Sequence, residues 1–90
     1  MHIEDTIRLT IISALPVENF RLVLEFNNCE RRLFDLKEFL KGDIGLLGEI
    51  RNDIDLFKTV SVDRVSGTIR FANDMDFDPE ILYQASKPMD

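Results

Sequence analysis

The sequence has no tryptophan, one cysteine, one tyrosine and one histidine, with three prolines and four glycines in 90 residues. Cys29 alone excludes an intramolecular disulfide, so a reducing, cytoplasmic setting is expected. His2 alone excludes a multi-histidine zinc site and a histidine-based triad by count. Gly42, Gly45 and Gly48 come without the lysine and serine that a phosphate-binding loop requires. No apolar run approaches the ~20 residues of a membrane span. The opening Met1–Asp5 lacks the basic-then-apolar order of a secretory signal, so neither export nor membrane insertion is expected.

Positive charge is also scarce. The net charge is −6, with acidic ends and a nearly balanced middle over residues 21–58. Phosphate repels such a chain unless folding gathers its basic groups on one face, so direct nucleic-acid binding by the chain alone is disfavoured. What the chain does hold is 44% hydrophobic residues and seven phenylalanines. That suffices for one domain without staples, hiding roughly 60–65% of its unfolded surface. Residues 1–7 read as a loose lead-in, residues 8–84 as the domain and residues 85–90 as a tail.

Alternation gives the strands. Arg8 to Leu15 reads as a first strand ended by Pro16, with Val17 to Asn19 turning the chain. Phe20, Leu22, Leu24 and Phe26 then share one face of a second strand, with Arg21, Val23 and Glu25 on the other. Two loops can join it to Arg31–Leu36. A loop at Asn27-Asn28 opposes Glu25 to Glu30, whereas one at Asn28-Cys29 opposes Glu25 to Arg32 and Leu24 to Leu33. Matched cross-strand pairs contribute ~0.2–1 kcal/mol and opposed like charges destabilise, so the second register is expected, with Cys29 at positive φ.

Asp35 to Glu38 resembles a capping box opening a short helix with Leu36, Phe39 and Leu40 on one side, stopped by Gly42. Leu46, Leu47 and Ile50 fit one helical turn and Ile54, Leu56 and Phe57 another, with Asn52-Asp53 as the break and cap. Val60 and Val62 resume strand alternation, and residues 63–67 turn the chain into Thr68–Ala72. Asn73 and Asp74 break that strand, and Asp78-Pro79 starts a last helix by offering a carboxylate cap and a fixed φ. Ile81, Leu82 and Ala85 are expected to be buried, with Tyr83 at the margin. The fold class is therefore α+β, an antiparallel sheet of about five strands with short helices packed on one face.

The order of these elements resembles a known family. Phe20 to Phe26, Glu30 and Leu33 to Leu36 are similar to its opening hairpin. Ile50-Arg51, Leu56-Phe57 and Val60 to Asp63 are similar to its middle. Thr68 to Phe71, Asn73, Asp76, Asp78-Pro79 and Leu82-Tyr83 resemble its closing pattern, a tryptophan, an asparagine-glycine-x-aspartate turn and a leucine-tyrosine helix. The family is the bacterial domain of unknown function DUF2442. Three positions depart from it: Cys29 and Asp74 replace turn glycines, and Phe71 replaces the tryptophan. The resemblance implies a compact α+β domain, sometimes with an appended helix-turn-helix, and sometimes in paired modules like toxin–antitoxin units. The short stretch after Tyr83 is expected to hold no DNA-reading domain.

The chemistry on offer is slight. Asp74, Asp76 and Asp78 alternate as oxygen ligands for a hard cation could. An EF-hand reading fails, because its sixth position is Pro79 and its twelfth Ala85. Asp78 is better explained as a cap, Asp76 as a turn residue and Asp74 as a solvated side chain. Cys29 beside Arg31 and Arg32 lacks a visible base, so a nucleophilic role is not expected. Arg21, Arg31 and Arg32 form a candidate interaction surface, with sheet-surface salt pairs as the plainer account. The phenylalanines follow core periods rather than a base-stacking platform.

The expected function is a non-enzymatic interaction or regulatory module without a cofactor, binding another protein or its own copy through a sheet edge or apolar patch. An antitoxin-like regulator that reaches DNA through a partner is the alternative, and a metal-binding or enzymatic site at residues 74–80 a third.

Overall fold

The hairpin at the centre of the molecule shows why the alternation matters. In the computed structural model, which describes residues 8–39, 45–75 and 77–89, β1 (Ile11–Val17) pairs antiparallel with β2 (Arg21–Phe26), and β2 with β3 (Arg31–Asp35). Leu22, Leu24 and Phe26 of β2 are fully buried, as their spacing predicts, while Arg21, Val23 and Glu25 between them stay half-exposed. Phe20 stands outside the strand. It and Asn19 hold consecutive positive φ angles of 58° and 63° in the β1–β2 turn.

The expected register of β2 against β3, with Glu25 opposite Arg32, is not the one adopted, nor is the rejected alternative. Glu25 lies opposite Arg31, Leu24 opposite Arg32 and Val23 opposite Leu33. A three-residue loop, Asn27-Asn28-Cys29, accounts for the shift. The Cys29 N–H donates to the Phe26 carbonyl at 3.0 Å, and the Phe26 N–H to the Glu30 carbonyl at 2.9 Å. Cys29 takes φ 71°, as its place at the end of the loop requires. The opposed pair is still of unlike charge, so the electrostatic argument survives with a different partner.

The same turn recurs after the strand Thr68–Arg70. Asp74 donates to the Phe71 carbonyl at 2.9 Å and Phe71 to that of Met75 at 3.0 Å, with Asp74 at φ 66°. In both turns an asparagine steadies the bend: Asn28 Oδ1 accepts from the Glu30 N–H and Asn73 Oδ1 from that of Met75. Asparagine turns thus hold a left-handed residue where the family pattern has glycine, so both turn geometries persist without it.

Proline does not end β1. Pro16 lies within the strand opposite Leu22, and β1 is an edge strand, where a missing N–H costs no ladder bond. A register shift between Ile11 and Ser13 bends the strand at its other end. Asp35 caps α1 (Leu36–Phe39), accepting from the Lys37 and Glu38 N–H groups at 3.0 and 3.2 Å. The expected stop at Gly42 lies outside the described residues. After α2 (Gly45–Arg51), Asp53 caps α3 (Ile54–Phe57) through the Asp55 and Leu56 N–H groups.

The sheet is divided in two. β4 (Ser61–Asp63) and β5 (Thr68–Arg70) form their own hairpin beside the larger sheet, whose order is β1-β2-β3-β6. One bond, from the Ile11 N–H to the Gly67 carbonyl at 2.8 Å, ties the hairpin turn to β1. Gly67 is fixed there twice over. Its φ is 77°, and a Cβ would sit 2.6 Å from Thr10 Cγ2. The fold is α+β as expected, with sheets of four and two strands among the described residues in place of one sheet of five.

Asp78 caps α4 (Pro79–Ala85), accepting from the Glu80 N–H at 2.9 Å, with Pro79 in the first turn. Two residues of the expected buried stripe are wrong. Ile81 is 50% exposed and Ala85 is exposed, while Leu82 is fully buried. The docked stripe is Pro79, Leu82, Tyr83 and Ser86, whose i, i+3, i+4, i+7 spacing suits a helix face. Nor are residues 85–90 merely a tail: β6 (Lys87–Pro88) adds to β3, with Leu33 opposite Lys87.

All seven phenylalanines pack against another ring. Phe20, Phe57, Phe71 and Phe77 follow one another at centroid distances of 5.2, 6.1 and 5.9 Å, and Phe34 and Phe39 close the run against Phe77. Phe71, in the tryptophan position of the family pattern, sits at the middle of this run and is buried.

Candidate interaction surface

β2 places side chains on two faces, and only one of them meets the core. On the core face Leu22 pairs with Phe34 and Leu24 with Arg32. On the open face the register lines up three rows across the strands. Leu15, Val23 and Leu33 form the middle row, which ends at Lys87. Ser13, Glu25 and Arg31 form the row on one side, and Val17, Arg21 and Asp35 the row on the other. Leu15 is 58% exposed, and Val23 and Leu33 are half-buried by their neighbours. An apolar bar thus crosses the open face between two rows that each hold one acidic and one basic residue.

The three arginines singled out in the sequence do not stay together. Arg21 and Arg31 lie on the open face with Glu25, and Arg21 Nε donates to the Glu18 carbonyl at 3.0 Å. Arg32 lies on the opposite side, because the three-residue loop shifts it by one position. The expectation that Arg32 shares a face with Arg21 and Glu25 is corrected accordingly. Its side chain is 11% exposed and fully engaged. Nη1 meets Glu30 Oε1 at 2.9 Å, Nε donates to Ser86 Oγ at 2.9 Å, and Nη2 donates to the Ser86 carbonyl at 2.8 Å. The guanidinium lies 4.1 Å from the centre of the Tyr83 ring, a cation–π contact.

Tyr83 closes the group by donating its hydroxyl to Glu30 Oε2 at 2.7 Å. That bond, followed by the one from Arg32, holds the Glu30 carboxyl below its ordinary range. The carboxylate in turn raises the phenol above its usual value. Four residues therefore fasten α4 to the hairpin, and the leucine-tyrosine pair of the closing pattern is an architectural device. Sequence reasoning finds Leu82-Tyr83 but not their partners, which lie more than fifty residues away.

The acidic stretch supports the structural reading where it is described. Asp78 is a helix cap and Asp74 an exposed left-handed turn residue; Asp76 lies outside the described residues. Asn73 bonds the Met75 N–H through Oδ1, and its Nδ2 donates to Glu49 Oε1 at 3.2 Å. Asp63 also caps its own turn, accepting from Val65 and Ser66 and facing Arg70 at 3.3 Å. These contacts lower its pKa, the backbone bonds first.

A depression of about 520 Å³ beside α4 is lined by Arg8, Leu9, Ser66, Thr68, Phe77 and Asp78. Three of its polar side chains are committed. Arg8 Nη2 donates to the Ser66 carbonyl at 2.8 Å, Thr68 donates its hydroxyl to the Phe77 carbonyl, and Asp78 is the cap. Cys29 is exposed at the hairpin tip. Among the described residues no group of three or more histidine, cysteine, aspartate or glutamate side chains is placed to hold a metal ion. Among the described residues, too, no helix is long and apolar enough to cross a membrane.

No curated protein and no solved structure matches the chain. A family model described as "Protein of unknown function (DUF2442)" matches residues 11–88, from the first residue of β1 to the last of β6. The chain therefore belongs to the DUF2442 family.

Proposed function

We propose that this protein is a non-enzymatic interaction module that docks through the open face of its four-stranded sheet. The observation that carries the reading is the exposed bar of Leu15, Val23 and Leu33, flanked on each side by unlike charges. Apolar side chains ringed by polar ones are the usual anatomy of a docking patch. The sheet edges serve docking less well. β1 is bent near Ile12 and carries Pro16, while β3 is partly covered by β6, devices that oppose strand addition.

Binding also suits the use made of the acidic side chains. Asp35, Asp53, Asp63 and Asp78 each hold backbone N–H groups, and Glu30 holds Tyr83 and Arg32. A single exposed cysteine fits a reducing compartment. Any regulatory effect would then pass through the molecule seated on this face.

The test is a Val23→Glu variant, compared with a Val65→Glu control at a fully exposed position away from the sheet. Both should melt within a few degrees of the parent. Proteins that co-purify with the parent at native expression level should be retained by the control and lost with Val23→Glu. Equal capture by the parent and Val23→Glu would refute docking through this face.

A further inference from the structure

We infer that the occupant of the open face is a second copy of this chain, seated face to face about a two-fold axis that runs along the apolar row. This rests on the proposed docking role of that face. The argument comes from how charge is arranged on it. Glu25 and Arg31 stand across from each other on one side of the row, and Arg21 and Asp35 on the other, with the signs reversed. Along β2 the order is Arg21, Val23, Glu25; along β3 it is Arg31, Leu33, Asp35.

A two-fold axis along the row exchanges its two sides while leaving each strand over its own counterpart. Leu15, Val23 and Leu33 then meet the same residues of the second copy. Glu25 meets the second copy's Arg21, and Arg31 meets its Asp35. Glu25, Arg31, Arg21 and Asp35 each acquire an opposite neighbour and the row of Leu15, Val23 and Leu33 an apolar one, while Val17 meets Ser13 and Lys87, at the end of the row, meets its own counterpart. This is the self-complementarity that a two-fold interface demands.

The charge of the remaining surface points the same way. The chain carries −6 overall, so two copies repel across most approaches. The open face has three basic residues, Arg21, Arg31 and Lys87, against two acidic ones, Glu25 and Asp35. This face is thus spared the acidic excess of the rest of the chain, and salt weakens the repulsion between the two remainders.

The patch is small. Three to four strands at ~4.8 Å spacing, six residues long at ~3.4 Å each, cover on the order of 300–400 Å² of plane. Stable interfaces bury about 800 Å² of accessible surface per partner, so the dimer is of the weak, concentration-dependent class.

The test is a charge exchange read by sedimentation velocity from about 1 to 500 μM at physiological salt, where a Debye length of about 8 Å screens the net repulsion more than the pairs in contact. The parent should shift from monomer to dimer over that range. Glu25→Arg alone sets like charges opposite Arg21, and Arg21→Glu alone sets them opposite Glu25. Each should weaken self-association by at least about tenfold. An equimolar mixture of the two variants should restore it, because the arginine introduced at position 25 of one then faces the glutamate introduced at position 21 of the other. Circular dichroism and melting of each variant separate loss of association from loss of fold, and the unmixed Val23→Glu variant provides a second monomer.

A parent that stays monomeric throughout would overturn this inference. The docking role would stand if Val23→Glu still lost a captured partner of another kind. A parent dimer indifferent to Glu25→Arg and to Val23→Glu would overturn both. Failure of the mixture to recover association would overturn the axis along the row, since an axis along the strands opposes Glu25 to Arg31 and gives no rescue.

Discussion

Replacing Cys29 by glycine should make this protein more stable, although it removes atoms and adds no contact. Cys29 ends the β2–β3 loop at φ 71° with its side chain exposed. Holding the left-handed conformation costs an L-residue roughly 1–2 kcal/mol. Glycine avoids that cost, but its freer unfolded chain returns about 0.5–1 kcal/mol. With the midpoints of the two ranges set against each other, the net gain is about 0.5–1 kcal/mol. Since 1 kcal/mol moves the midpoint of a domain this size by roughly 4–8 °C, Tm should rise by about 2–8 °C. Thermal melting under reducing conditions measures this, with Cys29→Ala as the control. Alanine keeps the backbone cost, so its Tm should stay near that of the parent. Asp74→Gly, at φ 66°, should gain less, because aspartate tolerates this region better than cysteine. A Cys29→Gly variant that melts at or below the parent, with Cys29→Ala unchanged, would refute the claim that the loop stores backbone strain.

Gly67→Ala should do the opposite. The added Cβ meets Thr10 Cγ2 at 2.6 Å with φ fixed at 77°, and a loss of about 2–4 kcal/mol is expected in urea unfolding. Asp78→Ala removes the cap of α4 and should cost about 1 kcal/mol by the same assay, with Asp78→Asn recovering most of it. Stability should also depend on pH at both ends. Glu30 and Asp63 are lowered from 4.5 and 3.8, so their contributions are complete above those values and lost as pH falls through the folded ones. Tyr83 is raised from 10.0, so its contribution is complete below that value and lost as pH rises through the folded one. Urea midpoints across pH check both limbs, and Tyr83→Phe should abolish the alkaline one and shrink the acid one.

Local chemistry was the legible part of this fold. β2 announced itself by alternation, and Asp35, Asp53 and Asp78 by their places before helical runs, because a cap is decided within four residues. The β2–β3 register differs from the expected one by one residue. Weighing charge between two-residue loops leaves out the three-residue loop, in which the left-handed last residue carries the extra step. A signal was present: Phe26-Asn-Asn-Cys-Glu30 and Phe71-Ala-Asn-Asp-Met75 share a phenylalanine and an asparagine at the same spacing. The α4 stripe departs from the one hydrophobicity favours, since Ile81 and Ala85 face outward whereas Ser86 is buried with its bonds to Arg32. β6 spans two residues, too short for any period to show. The open face follows from alternation only once the register is known, so its charge pattern lay beyond what sequence pairing could supply.

The fastening of the last helix by Tyr83 gives the molecule a built-in optical gauge. With no tryptophan and one tyrosine in the chain, emission excited near 280 nm arises from a single phenol. That phenol is bonded to a carboxylate and covered by a guanidinium only while α4 rests on the hairpin. Its fluorescence therefore records the undocking of one helix, whereas circular dichroism records the whole backbone. Should the two signals part company during a melt, the C-terminal segment lets go before the sheet does.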